Sequence, residues 1–189
     1  MIRVYPYVRG YAPRHALHAL WGLMEEDRAT RAVFNEDPGT EGVPTDTRGD
    51  LVSFVTYFSS SDRVTLVCED DETNEIMGLV WYDKIQPHWS AFANVWHRKK
   101  FRGAKAFTAS RLCLEHAFQH FGWQKLWAIT PWRAAARHAQ IVGFLPVVDL
   151  PGFILLDGKP ATSYLLSMTK DQFYRKDLAS PPEGEAVAA

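Results

Sequence analysis

The stretch that most limits how this chain can fold lies near its middle. Residues 90–97 read as a strand, Arg98-Lys99-Lys100-Phe101-Arg102-Gly103 as a basic loop, 104–121 as a helix and 125–130 as a second strand. Strands joined through a helix run in the same direction, since a tight turn only produces antiparallel neighbours. This crossover therefore implies a mixed sheet with helices on both faces, an α/β domain.

The other elements extend that frame. A short strand over 2–8 precedes a helix entered near Pro13, with Leu17, Leu20, Trp21 and Met24 as its apolar stripe. A loop over 35–47 leads to a second helix from about Asp46, which buries Leu51, Phe54, Val55 and Phe58. Strands over 63–68 and 75–82 form a hairpin through the acidic turn Glu69-Asp70-Asp71-Glu72, expected to be solvated. After the crossover come a small-residue helix over 133–142, closed by Gly143, and a hairpin pairing 153–156 with 163–168 through Asp157-Gly158. There is no internal repeat and no second domain. The reading is one domain over 1–176 and a flexible C-terminal tail over 177–189 with Pro181, Pro182 and Gly184.

Composition narrows the function classes. With 21 Lys and Arg against 22 Asp and Glu, the net charge of -1 argues against a protein that coats nucleic acid. No apolar run has the length needed to cross a bilayer, and no signal peptide is visible at the start. Only 2 cysteines occur, Cys68 and Cys113, both in apolar segments, so a reducing cytoplasm is the expected location.

The loop before the long helix carries the chemistry. A helix that starts directly after a strand aims unpaired N–H groups and a positive dipole end at one spot. Gly103 permits close approach, and Arg98, Lys99, Lys100, Arg102 and Lys105 surround it, which favours a phosphate-bearing ligand. A solvated basic loop is equally compatible with this spacing. Neither the Walker spacing nor a three-glycine dinucleotide fingerprint is present.

Over about residues 2–173, this order of elements resembles the GNAT (GCN5-related) family of acetyl-CoA-dependent N-acetyltransferases, which implies a GNAT-like fold. The family's Q/R-x-x-G-x-G/A loop, which wraps the pyrophosphate of coenzyme A, corresponds to Lys100-Phe101-Arg102-Gly103-Ala104-Lys105, with Lys105 in place of a small residue. The run from Trp132 and Arg133 through Ala135 to Gly143-Phe144 resembles the family's N-x-x-(A/S)…G-F helix beside the pantetheine arm, with Trp132 in the Asn position. The resemblance also implies that Val95, Trp96 and His97 offer a backbone N–H to the thioester carbonyl.

Transfer to an amine further requires removal of the amine proton and protonation of the leaving thiolate. The family often has a Glu on the fourth strand, but residues 90–95 hold no carboxylate; His88 and His97 are the nearest substitutes. Ala139 occupies the position of the family's frequent acid Tyr, and Tyr164 or Tyr82 would have to replace it. No metal is expected: His116 and His120 share a helix face without a third ligand. Cys113 reads as core. Trp81, Trp96 and Trp127 read as core too, with Trp89 and Trp132 at strand ends.

The resulting expectation is an acetyl-CoA-dependent N-acetyltransferase with a small or protein amine as acceptor. The alternative is a GNAT-fold structural or assembly protein without transfer chemistry, such as bacteriophages encode, located in the virion. The partners expected are the amine and either a second copy or an assembly partner. An RNA-binding module built on the basic loop is disfavoured by the charge balance.

Overall fold

The structure, a computed structural model, describes residues 1–7, 17–29, 50–156 and 159–175. The expected loop over 35–47, the turn Asp157-Gly158 and the tail over 177–189 lie outside these residues. A 7-stranded sheet runs in the spatial order β1-β2-β3-β4-β5-β7-β6. Its strands are β1 (Ile2–Pro6), β2 (Val64–Asp70), β3 (Glu75–Gln86), β4 (Ser90–His97), β5 (Lys125–Thr130), β6 (Leu145–Leu156) and β7 (Lys159–Thr169). The pair β4–β5 is parallel and every other pair antiparallel, as the crossover requires.

The helices are α1 (Leu17–Glu26), α2 (Leu51–Ser59), α3 (Ala104–His120), α4 (Arg133–Ile141) and the short α5 (Lys170–Tyr174). The start of α2 is set by Asp50, whose carboxylate accepts the Ser53 N–H at 2.7 Å, a typical cap. One helical turn separates the buried Phe54 and Phe58, which with Leu17, Leu20 and Met24 of α1 pack on Val67, Leu79, Trp81 and Trp96. The opposite face is covered by α3, whose Ala106, Ala109, Cys113 and Ala117 are buried. Those small residues let the helix approach Leu66, Tyr82, Ala91 and Leu126 of the sheet. α4 and α5 join the same side through Ala136 and Phe173, so helices flank both faces. No described helix is long and apolar enough to cross a membrane.

Several elements depart from expectation. The acidic run is not a solvated tip: Glu69 and Asp70 belong to β2 and are each 1% exposed. Glu69 is held by Arg3 at 2.7 Å and by the Tyr5 hydroxyl at 2.6 Å, so burial of its charge is compensated. The turn falls instead on residues 71–74. The last hairpin is far longer than expected because β6 tolerates Pro146, Pro151 and Gly152. It is an edge strand, and register shifts at Pro146/Val148 and Leu150/Ile154 absorb the misfits. Trp127 is half-buried rather than core.

Gly78 marks a close approach between β3 and the tip of β4. A Cβ there would lie 2.1 Å from the Trp96 carbonyl oxygen and 2.9 Å from the His97 Cα, both backbone atoms. Gly78→Ala is therefore expected to cost about 3 kcal/mol of stability by forcing the strands apart. Urea unfolding of the variant checks this; a loss below about 1 kcal/mol would mean that the contact relaxes freely.

Candidate functional site

β4 and β5 are joined only at Ser90↔Lys125, Ala91↔Leu126 and Phe92↔Trp127. Beyond that point β4 stays with β3 as far as His97, and β5 stays with β7 as far as Thr130. The two strands thus part into a V. The Trp89 carbonyl accepts the Gln124 and Lys125 N–H groups, so it points toward β5. Alternation then turns the backbone groups of Ala93 and Val95 into the V, where β5 no longer answers them. Val95 is exposed there.

At the open end of the V, a single 3₁₀ turn over Lys99–Phe101 leads to Gly103, which stands at φ +89° as the N-cap of α3. The first bond of α3 runs from the Phe107 N–H to the Gly103 carbonyl at 3.1 Å. The N–H groups of Gly103, Ala104, Lys105 and Ala106 consequently have no protein acceptor among the described residues. A Cβ on Gly103 would meet nothing within 4 Å, so the space above these donors is open.

The surrounding cations are less available than their number in the sequence implies. Lys100 pairs with Glu75, Lys105 with Asp70 at 2.6 Å, and Arg98 with Glu26 at 3.4 Å. The hydrogen bond and charge of Asp70 hold the Lys105 ammonium above its usual range, and Lys105 in turn holds the Asp70 carboxyl below its own. Lys105, the departure from the family pattern, is thus drawn to β2 and leaves the loop open. Arg102 is exposed and has no ion pair among the described residues. Phe101 and Trp96 are buried, and only their backbones remain for a ligand.

The proposed bases occupy very different places. His88 is exposed in the β3–β4 turn, and its Nδ1 lies 3.6 Å from where a Cβ on Gly122 would stand. Gly122 follows the last turn of α3, so His88 sits at the far end of β4, on the order of 25 Å of strand from Gly103. It is removed from the site. His97 stands at the right end of β4 but is only 7% exposed, enclosed between β4 and α3. Its Nε2 is 2.9 Å from the Ser110 hydroxyl, which is 2.8 Å from the His138 Nε2. Burial above all, with help from His138 and Arg102, pushes the His97 pKa down to about 3, and burial pushes His138 down to about 4. Both rings are neutral near pH 7. The His97 Nδ1 has no partner among the described residues and lies against Gly78, so the proton belongs on Nε2, which donates to Ser110. His97 thus ties β4 to α3 and α4 rather than facing the V.

Tyr164 is paired with Thr130 at the end of β5, and its hydroxyl accepts the Arg133 Nε–H at 3.0 Å. That bond sets Tyr164 beside Trp132 and Arg133, on the β5 arm of the V. Tyr82 is buried and donates to the Cys113 carbonyl at 2.9 Å, which keeps it in the core. Cys68 and Cys113 are both buried, with sulfurs 3.3 Å apart. No cluster of metal-ligating groups occurs among the described residues.

The sequence reading missed two sets of residues: Ser110 with His138, and Asp83 with Tyr57. Asp83 pairs with Phe92 at the apex of the V, and its Oδ2 accepts the Tyr57 hydroxyl at 2.8 Å. Strand alternation from Trp81 would have put Asp83 on the same face as that tryptophan, had the strand been extended past Tyr82.

No family model matches the chain, nor does any curated protein. Solved structures do. A spermidine N-acetyltransferase from Vibrio cholerae, in complex with CoA and spermine, is 17% identical at a TM-score of 0.68, covering 91% of this chain and 97% of that one. A ribosomal-protein-S5-alanine acetyltransferase from Vibrio fischeri is 15% identical at 0.63, covering 91% and 94%. A dodecameric spermidine N-acetyltransferase from Vibrio cholerae is 14% identical at 0.65, covering 93% and 98%. With the strand order and the V between β4 and β5, these likenesses establish that the chain has the GNAT acetyltransferase fold.

Proposed function

We propose that the chain is an acetyl-CoA-dependent N-acetyltransferase that moves the acetyl group from the thioester directly to an amine. The observation that carries this reading is the open V between β4 and β5, ending at four N–H groups, Gly103 to Ala106, that no acceptor among the described residues answers. Those donors and the Arg102 guanidinium suit a pyrophosphate. The Val95 N–H suits the thioester carbonyl, where charge builds during attack. Trp132 and Arg133 flank the pantetheine side. Lys100 and Lys105 act through the scaffold, because carboxylates already engage them. The open space above Gly103 favours an enzyme over an assembly component that has lost the chemistry.

Calorimetric titration with acetyl-CoA tests the reading. Binding at micromolar to millimolar concentration is expected, with thiol release once an amine is added. Arg102→Ala is expected to weaken binding about tenfold and to lessen its salt dependence, as loss of one charge-assisted contact implies. No binding by the unaltered chain at millimolar coenzyme would overturn the proposal.

A further inference from the structure

The two cysteines of the chain meet where α3 rests on the sheet. α3 lies close there because the residues along its seam are small: Ala106, Ala109, Cys113 and Ala117. Cys113 faces Cys68 in the middle of β2, 45 positions earlier in the chain. Both residues are 0% exposed, and their sulfurs stand 3.3 Å apart as free thiols. A disulfide needs about 2.0 Å between sulfurs, so a closure of roughly 1.3 Å would join them.

The backbone can supply that closure on one side and holds firm on the other. Directly after Cys68, β2 shifts register against β3, an irregularity that loosens the strand from its ladder. α3 is fixed at the same level, since the Cys113 carbonyl accepts the Tyr82 hydroxyl at 2.9 Å. Cys68 therefore moves toward a stationary Cys113. Burial above all, then the hydrogen bond and the charge of Cys68, push the Cys113 thiol well above its usual range. It stays protonated near pH 7 and is a slow nucleophile while the fold is closed. Nothing bulky enters a site without exposed surface, but an oxidant close to the size of water reaches it when α3 lifts locally.

We propose that Cys68 and Cys113 are a redox modification site, which a hydroperoxide converts to an internal disulfide that clamps α3 to β2. The thiolate of one cysteine attacks a peroxide oxygen and the O–O bond breaks. A sulfenic acid forms, and the leaving hydroxide takes up the thiol proton as water. The second thiol then attacks the sulfenic sulfur, an S–S bond forms and a second water leaves. The pair has lost two protons and two electrons, and hydrogen peroxide has become two waters. A second thiol held at 3.3 Å outruns the addition of further oxygen, so oxidation stops at the disulfide. The clamp spans the 45 positions between the cysteines, which restricts the unfolded chain and stabilises the fold. Its chemistry does not depend on what the V binds, because about 15 Å of helix separates Cys113 from Gly103.

The test incubates the folded full chain with millimolar hydrogen peroxide at pH 8, then denatures it without reductant. Peptide mapping is expected to find Cys68 and Cys113 in one cross-linked pair, lighter by about 2 Da than the separate peptides together. No free thiol should remain, and dithiothreitol should restore both. Because dithiothreitol reopens the bond and spares methionine sulfoxide, its addition isolates the clamp. The thermal midpoint should then fall by about 5 °C or more. Cys68→Ala and Cys113→Ala should each abolish the cross-link and this response to reductant. Two thiols left intact, sulfinic acid at either cysteine, or a bond between two copies of the chain would overturn the proposal. A cross-link whose reduction leaves the midpoint unchanged would overturn the clamp.

Discussion

Gly103→Glu is expected to abolish acetyl-CoA binding while the chain remains folded. Gly103 stands at φ +89° and ψ −142°, a region that a side chain enters at a cost of about 1–3 kcal/mol. Its Cβ would project into open space and touch no protein atom within 4 Å, so nothing in the core has to move. That space is where the proposed pyrophosphate would approach the free amides of Gly103 to Ala106. A carboxylate there opposes a like charge at close range, on the order of 3 kcal/mol or more than a hundredfold in affinity. Gly103→Ala separates the causes, since it carries the same backbone strain without the charge and should bind more tightly than the Glu variant. Calorimetry on both variants, with thermal melts as a check on folding, measures the effect. An unchanged affinity in Gly103→Glu would show that the anion does not sit above the loop.

Much of the architecture could be read from residue pattern, because the middle of the chain combines strong periodicity with clear stops. The strands Ser90–His97 and Lys125–Thr130 begin and end where the pattern placed them, with Gly122 and Pro131 as boundaries. The crossover between them made the parallel pair unavoidable. The last hairpin was legible only in part. Pro146, Pro151 and Gly152 read as breaks in a strand, yet at a sheet edge a missing N–H costs little and a bulge absorbs the extra residue. Glu69 and Asp70 read as solvent-facing because acidic runs usually are. Their partners Arg3 and Lys105 lie far away in sequence, and only the folded sheet brings them together.

The site divides in the same way. The loop around Gly103 was legible because its chemistry is local: a strand end, a glycine and a helix start. Which cations remain there was not, since Glu75 and Asp70 remove Lys100 and Lys105 through contacts that local spacing does not encode. His88 looked close to the reacting centre because it is close in sequence to β4, but it precedes the strand, and the length of the strand carries it away. His97 stood at the correct end, yet alternation turned its ring toward α3, where Ser110 and His138 meet it. A carboxylate was sought on β4 itself, whereas Asp83 reaches the same apex from the neighbouring strand.

The bridge formed by His97, Ser110 and His138 should make the fold lose stability steeply on acidification, well before most carboxylates titrate. In the folded chain the two histidines titrate at about 3 and about 4, against an ordinary 6.5. Lowered values mean that the neutral rings are favoured by folding. Their contribution is complete above pH 6.5 and is lost as pH falls through the window toward 4, because the unfolded chain binds the extra protons first. Together they imply a loss on the order of 5 kcal/mol over that interval. His116, also lowered by burial and by His120, adds a smaller change of the same sign. The carboxyls of Asp70 and Glu75, held below their usual range by lysine partners, add a loss of the same sign only below about pH 5, so the interval from pH 6.5 to 5 reports the histidines. Urea midpoints between pH 7.5 and 4.5 give the slope, and the double variant His97→Gln, His138→Gln should flatten it even though it starts from a lower stability. A midpoint in the unaltered chain that holds steady from pH 6.5 to 4.5 would contradict neutral, mutually bonded rings. Because the bridge joins β4 to α3 and α4, coenzyme affinity should decline in the same window, as the elements that line the V lose their common tie.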